Sequence, residues 1–524
     1  MATHEPPLPT LLFGEEIVRV EQTSRRAPRN VPTDMSALLR LAQVDRPGQI
    51  GGFGPLLASI ALKGRGNDPE FHRYETIFGR DSLRAAMDLV EEFPALAHTT
   101  LVKLAETQGV TTDNTREEEP GRIAHEIRDP ATDPIAQKLT AERGWGWPYY
   151  GSVDATPEFI RTLAAYCRST HEGFAFLKHT YVGRDSVLHT MRDAFEAATS
   201  WIERRLEANR EGLLEFKHMS PGGLENQAWK DSWDAYFHRA GKIANHRHGI
   251  ASVEVQRVAY DALCDAADIC KRLGEKGRAR ELRHRAALLY IAIMDIFWTD
   301  EHGGYFVLGT DRDGRGRLRQ LKVRASNMGH LLHSRLLAGS EPEIMRRREA
   351  VITQLFSPDM LCLNGIRTLA SDEVRYRPGA YHDGSVWIWD NYMIASGLAT
   401  LGYHGLARHI NSKLLEDVTA TKRFPEYLRG DDDPSYRLNT RLVEVMDHTN
   451  KRTNLLEQPP QDVQAWSVAA ILALKIHHAQ EIKRTTDERK LEFENQILAA
   501  VRIREKPLRR RQRRTPAVRR KIVL

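Results

Sequence analysis

IASVEVQRVAYDALCDAADICKRL, residues 250 to 273, is followed at once by KGRARELRHRAALLYIAIMDIFW, residues 276 to 298. In the first, Val255, Val258, Ala262, Ala266, Ile269 and Leu273 recur at steps of three and four; in the second, Leu282, Ala286, Leu289, Ile293 and Phe297 do the same. That period marks two amphipathic helices. Only Gly274 and Glu275 separate them, so they turn back on one another as a hairpin. The same spacing recurs at 79–93, 98–108, 156–170, 186–208, 326–338, 341–355, 385–401, 404–422 and 463–482. About eleven such helices joined by long loops predict an all-α toroid of helical hairpins. Alternating strand–helix units are absent, which excludes a parallel-sheet fold.

Outward from this core, residues 1–55 read as a Pro-rich, charged lead-in with one strand-like piece (EEIVRV) and a helix near residues 34–43. Residues 56–482 form the catalytic domain, and residues 483–524 a basic C-terminal helix or disordered tail. Residues 303–323 read as a β-hairpin. DRDGRG within it superficially suggests a calcium loop, but the twelfth position from Asp311 is Lys322, where that loop needs a glutamate.

Hydrophobic content of 41% and charged content of 28% describe a globular chain. No apolar run is long enough to span a membrane, and the N-terminus has no basic region followed by an apolar stretch. Four cysteines in 524 residues make no disulfide framework. The expected location is cytoplasmic. The formal charge of +6 hides an asymmetry: Arg502 to Leu524 holds eleven Lys or Arg against Glu505 alone, leaving the rest near −4. Such a tail can contact nucleic acid or anionic lipid non-specifically through phosphates. No nucleic-acid-reading module accompanies it.

The chemistry gathers in loops that mix aromatics with acids, Arg, His and Gly: FGRDS (78–82), GWGWPYYGSVDATPEF (144–159), NQAWKDSWD (226–234), RPGAYHDGSVWIWDN (377–391) and RFPEYLRGDDD (423–433). A pyranose offers apolar C–H faces to aromatic rings and hydroxyls to fixed polar groups, so this composition fits a sugar cleft. Phosphate loops, nucleophile elbows and HExxH are absent. Carboxylates remain as the chemical groups. Hydrolysis needs one protonated carboxyl for the leaving oxygen and, with inversion, an ionised one to activate water. Asp231, between Trp229 and Trp233, suits the acid, since a Trp neighbour raises its pKa by desolvation. Glu426 suits the base. The residues leave alternatives open. Asp231 could cap a helix, Asp234 could be the donor, Glu426 could be a solvated loop acid, and Trp233 and Trp389 could be core. His246 and His248 lack a third partner for a metal, Cys264 fits a buried helix face, and no metal or cofactor is called for.

FGRDSL, EEPGRIAHE, YYGSVDATPEF, NQAWKDSWD, ASVEVQRVAYDAL, SNMGHLL, GIRTLAS, YHDGSVWIWDN, FPEYLRG and QAWS occur in this order from Phe78 to Ser467. Together they resemble the amylo-α-1,6-glucosidase, or glycogen-debranching-like, family of six-hairpin glycosidases. The resemblance implies an (α/α)6 toroid and an inverting removal of α-linked glucose, with Asp231 as acid and Glu426 as base. It implies that Arg80 and Asp81 hold hydroxyls in the innermost subsite, and that Trp145, Trp147, Tyr149, Tyr150, Asp154 and Trp387 line the pocket. Trp229, Lys230 and Asp234 lie around the acid, with Tyr381 and His382 at the rim. The expected partner is an oligosaccharide or small glycoside. Asp383 stands where the family often has Asn, and Ile388-Trp389 where it has Pro-His, which reshapes the outer subsites. A small acceptor such as glycerate, or a different α-linked sugar, therefore competes with a glucan. From other classes, an epimerase or lyase using His382, or a silent carbohydrate binder, also fits the same toroid.

Overall fold

The computed structural model describes residues 33–43, 53–61, 72–433, 461, 463–480 and 484–514, together with short strands at 11–13, 16–18, 442–446 and 453–457. Its helices in chain order are α1 (Thr33–Leu41), α2 (Gly79–Asp88), α3 (Pro94–Glu106), α4 (Pro134–Arg143), α5 (Ala155–Ser169), α6 (Met191–Glu207), α7 (Val253–Arg272) and α8 (Lys276–Ile296). A 3-10 helix at Ser326–His333 follows. Then come α9 (Pro342–Leu355), α10 (Ile388–Thr400), α11 (His404–Thr421), α12 (Ala465–Gln480) and α13 (Glu488–Arg514).

Six of these elements form a closed inner ring. α2 packs on α5, α5 on α7, α7 on the 3-10 helix, that helix on α10, α10 on α12, and α12 back on α2. Each inner element also pairs with an outer helix: α3, α6, α8, α9, α11 and, closing the set, α1. This is the (α/α)6 toroid. The ring position is written in composition. α8, an outer helix, alternates buried Leu282, Leu289 and Ile293 with exposed Leu288 and Ile291. α12, an inner helix, is buried on every side from Ala465 to Leu474, as a helix enclosed by others must be. Its Ile471 and Leu472 are fully buried, each burial contributing about 1.5–3 kcal/mol.

The inner ends decide where the site falls. Two-residue strands lead straight into α2 (Ile77–Phe78), α7 (Ala251–Ser252), α10 (Val386–Trp387) and α12 (Val463–Gln464). The sugar-cleft motifs sit in these entries, so inner-helix N-termini gather them at one end of the toroid. Gly79 starts α2 because the chain leaves no room for a side chain: a Cβ there would lie 2.1 Å from the Ala124 carbonyl oxygen.

The predicted hairpin is present, with Gly309–Arg312 antiparallel to Leu318–Leu321. Asp311 is buried and spoken for, accepting hydrogen bonds from Arg319 and the Asn245 N–H and pairing with His238. The 326–338 segment winds as two 3-10 pieces instead of one α-helix. In the lead-in, α1 packs on α12 and Asp34 pairs with Lys475 at 2.9 Å. The C-terminal segment is the helix α13, docked on α11. Glu494 caps the start of α11 through the N–H groups of Gly405 and Leu406, and Glu505 pairs with Lys413 at 2.7 Å. Residues 515–524 of the basic segment lie outside the described residues. All four cysteines, Cys264 among them, are buried. Among the described residues, no helix is long and apolar enough to cross a membrane.

Candidate active site

Arg80, in the first turn of α2, is the hub. Its Nε donates to Asp154 Oδ2 at 2.7 Å, its Nη2 to the Ala228 carbonyl at 2.9 Å, and its Nη1 reaches Asp231 Oδ2 at 3.4 Å. Burial works against the guanidinium charge, but Asp154 and Asp231 outweigh it and hold the proton more tightly than water does. Asp154 is itself fixed by Ser152 Oγ at 2.7 Å. The cation therefore aims a loop acid from between α6 and α7 at the toroid mouth. Asp231 keeps 29% of its side chain exposed, against 7% for Arg80, so the carboxyl is the member open to a ligand. Burial raises its pKa to about 6, Arg80 opposing the rise.

Trp229 and Lys230 anchor that loop from below. Lys230 Nζ donates to the Thr368 carbonyl at 2.6 Å and lies 5.4 Å from the Trp229 ring centre. Burial lowers the Lys230 pKa to about 8, resisted by Asp383, Asp390 and Glu254. Trp229 meets Trp387 and Trp389 edge-on at 5.6 and 5.2 Å. With Met393, Tyr427, Trp466 and the partly buried Tyr381, these rings form one aromatic box.

Glu426 closes the box from the opposite side. The strand Tyr427–Leu428 pairs with Val386–Trp387, with Trp387 opposite Tyr427. Ser467 at the start of α12 donates to the Pro425 carbonyl at 2.8 Å. These contacts bring Tyr381 over Glu426, and its hydroxyl donates to Oε1 at 2.5 Å. Burial raises the Glu426 pKa to about 8; the Tyr381 hydrogen bond opposes the rise, while Asp81 and Asp231 add to it. Asp81 accepts from Gln464 Nε2 at 3.2 Å, and burial raises its carboxyl to about 7. Glu426 and Asp231, from distant parts of the chain, thus lie close enough for one to feel the other's charge.

Other expected site residues do different work. Asp234 pairs with Arg375 at 3.0 Å, and Trp233 also lies against that guanidinium. His382 is buried against Trp387, and its Nδ1 accepts from Ser232 beside Asp231. Burial drives its pKa well down, so it is a neutral prop for the acid loop instead of a proton carrier. Trp145 stacks on Tyr149 at 3.7 Å and, with Trp147 and residues of α4, makes a separate cluster. Tyr149 OH accepts from the Leu224 N–H, and Tyr150 OH donates to the Thr107 carbonyl. These four rings brace the loops behind the site, outside the aromatic box. His246 is held by Asn226 at 2.9 Å.

The sequence reading overlooked Tyr74. Its hydroxyl is raised by burial, and the charges of both Glu426 and Asp231 act on it, which puts it between them. Nothing in FHRYE signals this. Gln464 and Trp466 lay within QAWS without a role, although adjacency to a Trp in an inner-helix start was a usable signal.

A toroid whose inner-helix entries hold two carboxyls across an aromatic box is the architecture of a six-hairpin glycosidase. The GH63 mannosylglycerate hydrolase from Thermus thermophilus has this fold. In its complex with Tris it is 15% identical, with a TM-score of 0.53 covering 85% of this chain and 99% of that one. The complex with Tris and D-glycerate gives the same values. The complex with glucose is 14% identical at the same score and coverage. No curated protein matches the sequence. Residues 101–438 match the mannosylglycerate hydrolase MGH1-like glycoside hydrolase domain, and the chain belongs to that family of glycoside hydrolases. The resemblance to amylo-α-1,6-glucosidases therefore holds at the level of a six-hairpin glycosidase, and the matching family is named for another substrate.

Proposed function

We propose that this protein hydrolyses the α-glycosidic bond between a hexose and a small acid acceptor of the glycerate type, with inversion. Asp231 protonates the glycosidic oxygen and Glu426 takes the proton of the attacking water. One observation carries this reading: Asp231, partly exposed on Arg80, and Glu426, held by Tyr381, face the same aromatic box within reach of each other's charge. The acceptor is inferred from the family's description and from the neighbour crystallised with D-glycerate. Arg73, exposed against the Tyr74 ring at 5.7 Å, offers a cation to an acceptor carboxylate. The test is proton NMR of the protein with α-mannosylglycerate, α-glucosylglycerate and isomaltose. The glycerates are expected to release β-hexose first. Turnover of isomaltose alone would replace the acceptor assignment with a glucan, and an α-anomer appearing first would remove inversion.

The carboxyl pair predicts a bell-shaped pH profile. Chemistry needs one proton on the pair, on Asp231 and not on Glu426. Below about 6 both carboxyls are protonated and the base is lost; above about 8 both are ionised and the acid is lost. The maximum of kcat/KM is therefore expected near the midpoint, about pH 7. Burial raises Glu426 above Asp231, so at that pH roughly one site in a hundred carries the productive arrangement if the two titrate independently. Protonating Asp231 removes a charge that raises Glu426, which increases this share. A single limb with no acid or alkaline partner would contradict the pair.

A further inference from the structure

Beneath Arg80 and Asp154 lies a cavity of about 390 Å³, counting its opening. Its wall draws on all six inner elements of the ring: Arg84 from α2, Glu158 from α5, Arg257 from α7, His330 from the 3-10 helix, Trp389 from α10 and Trp466 from α12. It therefore sits on the axis of the toroid, behind the acid.

The wall is rich in polar atoms that the protein leaves unanswered. The indole N–H groups of Trp229, Trp389 and Trp466, together with Arg257 Nη1, are buried donors with no hydrogen-bond partner among the described residues. Glu158 Oε2 and Glu254 Oε2 are buried acceptors in the same condition. All six side chains are at least nine-tenths buried. Buried donors and acceptors are rarely left unpaired, because each loses its hydrogen bonds to water on folding. The charges on the wall balance: Arg80, Arg84 and Arg257 against Asp154, Glu158 and Glu254. Neither an anion nor a cation is selected. A ligand must instead donate and accept at once, be neutral, and fit between rings.

We propose that this chamber is a binding site for a fixed cluster of water molecules. The cluster satisfies the three indoles, Arg257, Glu158 and Glu254. A water occupies about 30 Å³, so the space holds several. Arg80 forms part of the chamber wall while its guanidinium holds Asp154 and Asp231. The water cluster thus packs behind the cation that aims the acid. This second role, positioning Asp231, rests on the hydrolytic reading above; the water site itself does not.

The test begins with a high-resolution crystal structure of the full chain grown without polyols. Separate solvent peaks within hydrogen-bond distance of these six atoms are expected. A dry chamber, or density for one polyatomic ligand, would overturn the proposal. The companion variant is Val258→Leu, which extends a buried wall residue into the chamber. It is expected to expel solvent, lower the melting temperature and reduce kcat about 3- to 10-fold at unchanged KM, with a shifted acid limb of the pH profile. A raised melting temperature with unchanged kcat would mark a mere packing void. Should Val258→Leu not fold, Trp466→Phe keeps the ring and removes one donor, and the loss of a single solvent peak is the readout. Peaks and melting need no substrate, so they stand apart from any failure of the hydrolytic reading.

Discussion

Asp231→Asn is expected to lower kcat/KM on an α-hexosyl glycerate by about 10²- to 10⁴-fold, or roughly 3–5 kcal/mol of transition-state stabilisation. The amide keeps the shape and can still accept from Arg80, so the fold and the Trp229 loop are retained. What disappears is the proton for the leaving oxygen. The deficit must then depend on how much that oxygen needs it. With a dinitrophenyl hexoside, whose leaving group departs as a stable anion, the loss is expected to shrink by at least about tenfold. Steady-state kinetics on the two substrates measure this directly. An equal deficit on both would take the acid role away from Asp231. Asp234→Asn provides the contrast: Asp234 is bound to Arg375 and is expected to retain most of kcat.

Glu426→Gln is expected to cost a similar factor, about 10²- to 10⁴-fold, but equally on both substrates, because water must be deprotonated whatever the leaving group. Azide needs no base. Added to this variant with the activated substrate, it is expected to restore turnover and yield the β-hexosyl azide, which NMR identifies. An α-azide, or no rescue beside a fully folded protein, would argue against Glu426 as the base of an inverting reaction. The Tyr381 hydrogen bond bears on the same chemistry: it favours the ionised carboxyl against burial, which pushes toward protonation.

Much of the fold was legible because helix period is a local property. The 253–272 and 276–296 pair is visible as two apolar stripes and a Gly–Glu joint, and the structure keeps both helices to within a few residues. The 326–338 segment was less so. Its apolar spacing is helical, but Gly329 packs against Ile394 and Leu355 where no side chain fits, and the chain tightens into 3-10 turns. Aromatic loops carried the sugar-cleft signal, yet composition cannot say which way a ring points. GWGWPYYG and YHDGSVW look alike as strings. One builds a brace around Trp145 and Tyr149, while the other contributes Trp387 to the box. Tyr74 illustrates the opposite failure: an ordinary tyrosine in a charged stretch, made relevant only by what folds beside it.

The sequence by itself determined the helices, their pairing into hairpins and the acid-and-aromatic character of the loops, because periodicity and composition act over a few residues. Only the tertiary structure decided that Arg80 would carry Asp231, that Tyr381 would sit on Glu426, and that six buried polar atoms would face one axial chamber. Those relations depend on closing a ring whose members lie hundreds of residues apart. The burial that raises Asp231 to about 6 and Glu426 to about 8 exists only once that ring is shut.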